Sequence, residues 1–434
     1  MKTRNLFTGI ILGITLVFGA CTIQEDNIGD ITINEGGGTG TTSGAVVLEG
    51  QITENRTLTS SEVYELRGGV SVVDGVTLTI EAGTRIIAGN TGGVFAYLAI
   101  EQGAKIIAEG TASQPIVFTS NKSTPNPGDW GGLLLAGKAP INRGTTATTE
   151  VASLTYGGTD ATDDSGILRY VRLEYTGGKI NADAEYNGLS LYGVGNGTTL
   201  EYIQAFNGND DGIEFFGGTV NLKYAIVTGA GDDSFDWTDG WTGNGQFWIV
   251  QQSTNAGDHG IEADNLKSNN AAAPFSNPTL SNITLIGAED GDGKNEAILF
   301  RRGTKVSIHN MIIKSFSKGI ELNDDQTFTN LNNNELTIRN SIIDNPTPFE
   351  LSAGTATVDL ANFATFNNYS TDASGTAVPA SFEINGFRGT YQFTVAVDGV
   401  DNFDPSTLGA FFDAANYVGA LQEGDTWTSD WTRL

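Results

Sequence analysis

The stretch Leu200-Glu-Tyr-Ile-Gln-Ala-Phe-Asn-Gly-Asn-Asp-Asp-Gly-Ile-Glu-Phe-Phe216 is followed by Leu222-Lys-Tyr-Ala-Ile-Val-Thr-Gly-Ala-Gly-Asp-Asp-Ser-Phe-Asp-Trp237. Each begins with leucine, has tyrosine two residues on, then aliphatics, an Asp-Asp turn, and a second short run with large apolar residues at alternate positions. Alternation of this kind belongs to strands with one buried face, and its return about every 22 residues belongs to a solenoid.

The pattern extends both ways. Its first column reads Leu168, Leu200, Leu222, Leu280, Ile308 and Ile338, with Tyr170, Tyr202, Tyr224, Asn282, Asn310 and Asn340 two residues on. Its second column pairs Leu189/Leu191, Ile213/Phe215, Phe235/Trp237, Ile261/Ala263, Ile298/Phe300 and Ile320/Leu322. Earlier, Leu78-Thr-Ile-Glu-Ala-Gly-Thr-Arg-Ile-Ile-Ala88 aligns with Leu98-Ala-Ile-Glu-Gln-Gly-Ala-Lys-Ile-Ile-Ala108, which reads as two successive coils of strand, turn, strand. A coil this small cannot bury its own apolar face, but stacking pairs every strand edge with the next coil and encloses a continuous core. No coil shows a sustained i, i+3, i+4 pattern, so helical solenoids do not fit. The 57 glycines and 10 prolines suit an all-β chain rich in tight turns. The expected fold is a single right-handed parallel β-helix whose Asn and Tyr columns stack as ladders.

Lys2 and Arg4, the apolar run Leu6 to Phe18, and Gly19-Ala20 before Cys21 read as a signal peptide over residues 1–20. Val17-Phe-Gly-Ala-Cys21 resembles the lipobox of bacterial lipoproteins, which implies lipidation at Cys21 and an anchor in membrane lipid. Cys21 is the only cysteine, so no disulfide supports the fold. Gln24-Glu-Asp26 resembles the acidic export tag of Bacteroidetes surface lipoproteins, implying display on the outer membrane, with residues 21–44 as a flexible tether. Residues 45–434 would form the β-helix domain, with repeated coils to about residue 345 and a less regular region at 346–434. Gln392-Phe-Thr-Val-Ala-Val397 and the final Trp-rich stretch are candidates for covering an end of the solenoid.

The formal net charge is −28, and removal of residues 1–20 makes it two units more negative. Such a surface repels phosphate backbones, which argues against nucleic acid as a partner and favours divalent cations or neutral polymers.

Further blocks carry a family resemblance: Gly208-Asn-Asp-Asp-Gly-Ile-Glu-Phe-Phe-Gly-Gly-Thr-Val220, Gly231-Asp-Asp-Ser-Phe-Asp-Trp237, Gly257-Asp-His-Gly-Ile-Glu-Ala-Asp264 and Arg301-Arg-Gly-Thr304. With Gly128-Asp-Trp-Gly-Gly-Leu-Leu-Leu135, Tyr417-Val-Gly-Ala420, Trp427 and Trp431, they resemble a Bacteroidetes family of parallel β-helix lipoproteins with a pectate-lyase-like solenoid. The resemblance spans nearly all of the chain beyond the tether. It implies the fold and no particular activity.

Between the inward residues of the second column stand Ser190, Glu214, Asp236, Glu262, Leu299 and Glu321, with Asp210-Asp211, Asp232-Asp233 and Asp258-His259 in the preceding turns. On successive coils these carboxylates would stack, and like charges directly opposite repel. A hard cation such as Ca²⁺, partial protonation, or pairing with Arg301, Arg302 or Lys223 would each offset this. The candidate calcium ligands are Asp210, Asp211, Glu214, Asp232, Asp233, Asp236, Asp258, Glu262 and Asp264. Against them stands the plainer reading of Asp as a turn former whose side chain bonds nearby amides. His259 and His309 read as solvated or turn-bonded rather than catalytic. Tyr192 and Phe216, outward on the second column, and Trp130, Trp241 and Trp248 are candidate platforms for sugar rings, with cap or core packing as the alternative.

Three functions fit: a binding or adhesion module for glycans or an outer-membrane protein, a polysaccharide lyase or hydrolase, and a structural envelope component. The first is preferred because stacked strands offer a long adhesive face without a catalytic constellation. A lyase acting on uronates needs positive charge at its site, whereas a hydrolase needs two carboxyls, which the acidic columns could supply.

Overall fold

The computed structural model describes residues 44–181, 184–254, 256–288, 296–361, 363, 369–371, 403–422 and 424–433. Cys21, the expected signal segment, all but the end of the expected tether, and Gln392 to Val397 lie outside the described residues. One sheet system of 25 strands winds as a right-handed parallel β-helix, interrupted by three small antiparallel hairpins.

Each coil contributes to three sheets. In Thr199–Phe206, Leu200 belongs to the first sheet, the chain turns at Tyr202, and Ile203 and Ala205 belong to the second. Ile213–Phe216 then supplies the third. Both columns read from sequence return in register: Leu168 faces Leu200, Leu280 faces Ile308 and Ile308 faces Ile338. In the third sheet Leu189, Ile213, Phe235, Ile261, Ile298 and Ile320 follow one another without a break. Coils sit about 4.8 Å apart, as ladder hydrogen bonding requires.

The corner between the first two sheets explains the Tyr/Asn column. Tyr170, Tyr202, Tyr224, Phe247, Asn282, Asn310 and Asn340 all have positive φ, between 51° and 60°. This left-handed conformation costs an L-residue about 1–2 kcal/mol. Asn tolerates it by bonding locally. The aromatic residues offset it by stacking, with ring centroids 4.3 Å apart for Tyr170–Tyr202, 4.4 Å for Tyr202–Tyr224 and 4.9 Å for Tyr224–Phe247. Phe247 escaped the sequence pattern because its coil carries Gly245 where leucine is expected. The Trp248 ring fills that space, and a Cβ on Gly245 would come within 2.5 Å of it.

One feature of the early coils differs from expectation. Leu78 pairs with Ile106, not with Leu98, and Leu98 pairs with Val70. Thr77–Ile80 and Arg85–Ala88 lie in the first and second sheets, whereas Tyr97–Ile100 and Lys105–Glu109 lie in the third and first. The two segments are alike because both wrap a corner at a left-handed glycine, Gly83 (φ 81°) or Gly103 (φ 83°). Their likeness reports the corner, not the position around the coil.

The interior holds stacked aromatic rings. Phe215 stacks on Trp241 at 4.0 Å and Phe235 on Trp248 at 4.3 Å, with both indole N–H groups donating to backbone carbonyls. A short helix, Asp325–Asn332, interrupts the late coils. The Asp324 carboxylate caps it by accepting from Gln326 and Thr327, and Phe328 and Leu331 turn inward.

The Trp-rich stretch does not cover an end. Residues 403–433 run as a strap along the outer side of the second sheet, where Leu421 and Trp431 pack on Ile226 and Ile249. Polar side chains there bond the strap's backbone, as Gln204 does with Arg433, Arg172 with Trp431 and Thr284 with Ala420, and Gln246 of the first sheet does the same with Asp413.

Candidate functional site

Outward positions of the third sheet form the expected column: Ser190, Glu214, Asp236, Glu262, Leu299, Glu321 and Glu350 stand opposite one another in order. They are outward from the solenoid core but not open to water. Glu214 is 8% and Asp236 9% exposed, because loops from the early coils fold back over this face. Asn187, on one such loop, donates its side-chain N–H to Glu214.

The turns before these strands tie coil to coil. Asp211 Oδ1 accepts the Asp233 N–H at 2.9 Å, and Asp233 Oδ1 accepts the His259 N–H at 2.8 Å and meets His259 Nδ1 at 2.7 Å. Asp211 and Asp233 are therefore turn-formers in part, each fixing the next coil. His259 is turn-bonded, as expected.

The face divides into two halves of different electrostatics. In the later coils every carboxylate column is answered by a cation. Asp233, His259, Glu296, Lys318 and Glu350 alternate in sign, with Lys318 Nζ 2.6 Å from Glu296 and 2.9 Å from Glu350. Arg301 bonds both Glu262 and Asp264, and Arg302 bonds Asp264. Burial alone would discharge His259, but its bonds to Asp233 and Glu296 push it up to about 11. Burial likewise raises Glu296, yet its bonds to His259 and Lys318 take it down to about 2.

The earlier half has no such answer. Among the described residues, no ion pair reaches Asp210, Asp211, Glu214 or Asp236. Burial, then the charges of Glu185 and Asp232, push Asp210 up to about 8. Asp211, Glu214 and Asp236 rise well above the carboxylate range, first through burial and then through nearby carboxylates: Asp210 beside Asp211, Glu150 and Asp210 beside Glu214, and Glu214 and Glu262 beside Asp236. Asp232 at the rim reaches about 6, and Glu150, on a covering loop, about 7, both chiefly through burial. Burial also raises Glu262, to about 8, despite Arg301.

Three groups of side chains bring one ligand atom each within 4.8 Å of one another: Asp210, Asp211 and Asp232; Asp211, Glu214 and Asp236; and Asp233, His259 and Glu262. Asp236 Oδ1 is buried with no hydrogen-bond partner. Of the other expected ligands, Asp258 is exposed beside His259, and Asp264 is taken by the two arginines. One expected partner, Lys223, and His309 lie elsewhere. Lys223 pairs with Asp413 on the strap at 3.0 Å, because its strand belongs to the first sheet rather than the third. His309 is not solvated: it is buried, stacks on Phe403 at 4.3 Å and is pushed down to about 4 by that burial.

The expected aromatic platforms are closed. Tyr192 stacks on Phe216 at 4.1 Å beneath a loop whose Ile141, Val151 and Tyr156 make a second small core with them. Trp130 and Trp241 are wholly buried inside the solenoid, as is Trp248. Their indole nitrogens donate to the carbonyls of Glu174, Val220 and Leu222. Aromatic rings do flank the acidic recess, but they are others. Tyr97 stacks on Tyr186 at 5.4 Å and Phe95 meets Tyr186 edge-on at 6.5 Å, with Phe95 and Tyr97 half-buried. Tyr186 precedes Asn187, the residue bonded to Glu214. Glu150 and Tyr186 escaped sequence reading because they sit on loops outside the repeat, and Tyr97 because it opens a third-sheet strand of an early coil, before the regular columns begin.

Residues 50–432 match the family described as pectate-lyase like beta helix domain. No curated protein and no solved structure matches the chain.

Proposed function

The chain belongs to this pectate-lyase-like β-helix family, and we propose that it is a lipid-anchored surface module that binds glycans along the acidic recess of its third sheet, with calcium among the early carboxylates. The carrying observation is the uncompensated half of that face. Buried carboxylates stacked with no cation are costly, and a hard cation with oxygen ligands offsets the cost. Asp211, Glu214 and Asp236 converge, and the free Oδ1 of Asp236 supplies an acceptor that no protein donor uses. The half-buried rings of Phe95 and Tyr97 at the edge of the recess give a sugar an apolar face to lie on while its hydroxyls meet carboxylates. The cation would stiffen the recess, and Cys21 would hold the module at the membrane.

The test is a glycan array probed with the mature chain in calcium and in EGTA, alongside melting curves in both. Saturable, calcium-dependent retention and a calcium-dependent rise in melting temperature are the expected results. A chain that retains no glycan and melts identically in both would be a structural envelope component instead. Mass spectrometry of the membrane-extracted protein, with Cys21→Ala as control, tests the anchor.

A second reading, glycoside hydrolysis, draws on the raised carboxyl of Asp210, which would keep a proton near neutral pH as a general acid requires. Release of reducing ends from a retained glycan, lost in Asp210→Asn, would favour it over simple binding. The fold itself argues for neither.

A further inference from the structure

Where the aromatic ladder of the corner ends, the strap crosses it and leaves a cavity of about 330 Å³ lined by Tyr224, Phe247, Tyr417, Trp427 and Asp425, with Gly424 and Thr426 beside them. Its walls are set by the solenoid's own geometry. Tyr224 and Phe247 are consecutive left-handed corner residues, so their rings project from the solenoid and stack. Trp427 meets Tyr224 at 58° with centroids 5.2 Å apart. Asn282, the first asparagine of the column, donates to the Tyr417 carbonyl at 2.8 Å, and the Trp427 indole donates to Ala420 at 3.2 Å. Tyr224, Tyr417 and Trp427 are half-buried, and Tyr224 turns its edge to the cavity, since Tyr202 and Phe247 cover its two faces.

We infer that this cavity is a binding site for a small organic cation of the methylated-ammonium type. Phe247, Tyr417 and Trp427 about one carboxylate are suited to such a cation, because ring faces are negative and methyl groups lose little by leaving water. The polar groups present point the same way. The Asp425 carboxylate accepts from Gln422 N–H at 2.9 Å and lies 3.4 Å from the Tyr417 hydroxyl, and Asp413 lies 3.3 Å from the Tyr224 hydroxyl. Among the described residues no ion pair reaches Asp425, so its charge is open to a cation, whereas Asp413 lies outside the cavity. Lys223, next to Tyr224 in sequence, is paired with Asp413 and lies over the Phe411 ring, so it is already engaged. The site rests on the second sheet and the strap, away from the acidic recess, and stands or falls independently of glycan binding.

The full chain is titrated with tetramethylammonium and choline chlorides against sodium chloride at equal ionic strength, following tryptophan fluorescence and melting temperature. Saturable binding of both cations is expected, weakened about tenfold in Asp425→Asn and lost in Trp427→Ala. Should Trp427→Ala fail to fold, Asp425→Asn carries the test. Absence of binding by either cation overturns the proposal. So does equal binding of 3,3-dimethylbutanol, the uncharged shape-mate of choline, or tighter binding of cello-oligosaccharides. Phosphatidylcholine vesicles distinguish the source: co-sedimentation abolished by Asp425→Asn assigns a lipid headgroup, whereas free choline binding without it assigns a soluble ligand.

Discussion

Asp236 and Glu262 stand directly opposite each other on adjacent coils, yet Arg301 bonds Glu262 while Oδ1 of Asp236 meets no donor. The same column thus passes, within one coil, from a charge that is answered to one that is not.

Asp236→Asn should therefore stabilise the calcium-free protein. The carboxyl must either carry a buried charge beside Glu214 or hold a proton at a cost, and the amide does neither. A gain on the order of 1–3 kcal/mol is expected, the range for a buried polar group that lacks a partner. Urea unfolding in EGTA measures it, and unfolding in calcium should show the order reversed. A variant less stable than the parent in EGTA would contradict the argument.

Stability of the calcium-free protein should also fall as pH rises. Asp210 keeps its proton to about pH 8 in the fold, but an aspartate does so only to about pH 4 in an unfolded chain. Between those values the fold binds more protons, so its advantage is complete below about pH 4 and is lost as pH climbs through about 8. His259, raised to about 11, adds a contribution that is complete below about pH 6.5 and declines on the way to that value. Denaturant midpoints at about pH 5 and about pH 8.5 decide the matter, and a higher midpoint at the alkaline point would be the wrong sign.

Replacing His259 with Gln should be severe. The imidazolium answers Asp233 at 2.7 Å and lies 3.7 Å from Glu296 and 3.8 Å from Glu262, all of them largely buried. Removing one member of such a buried network costs about 3–5 kcal/mol. Lys318→Met removes a more exposed cation from the same column, and about 1 kcal/mol is expected. Paired melting curves that rank the two variants the other way would show that the alternating column is not what holds the later coils.

Asn282→Ala should loosen the strap. The substitution puts a Cβ-bearing residue with no local hydrogen bond at φ 56° and removes the donor to the Tyr417 carbonyl. A loss of about 2–3 kcal/mol follows. Asn282→Gly relieves the backbone but not the missing bond and should lose about 1 kcal/mol. Limited proteolysis should cut both variants within residues 403–433 sooner than the parent. Equal protection would mean that the apolar contacts of Trp431 alone secure the strap.

The sheet register was legible in sequence from Leu168 onward because each inward position repeats in size and each corner demands a left-handed residue, which leaves a visible Tyr/Asn mark. The same rule misled at residues 78–108, where two different corners share one glycine turn. The acidic column was legible for the same reason as the core, since outward residues ride on inward ones with period two. Its two-part electrostatics were only half legible: Arg301 and Arg302 were candidate partners, but the pairing of Lys223 with Asp413 depends on a strap that carries no repeat. Tyr192 and Phe216 were rightly placed outward, yet they are covered, because a loop with its own apolar residues folds back on them. Such long-range closure has no local signature.

The strap also alters how the molecule would respond to force. A stack of coils transmits load only from each turn to its neighbour and can come apart one turn at a time. Here residues 403–433 run back along the axis, meeting Asn310 through Phe403, Gln246 through Asp413, Arg172 through Trp431 and Glu174 through Arg433. Tension entering through this segment would load many turns in shear at once, as in a splinted beam, instead of peeling them singly from one end.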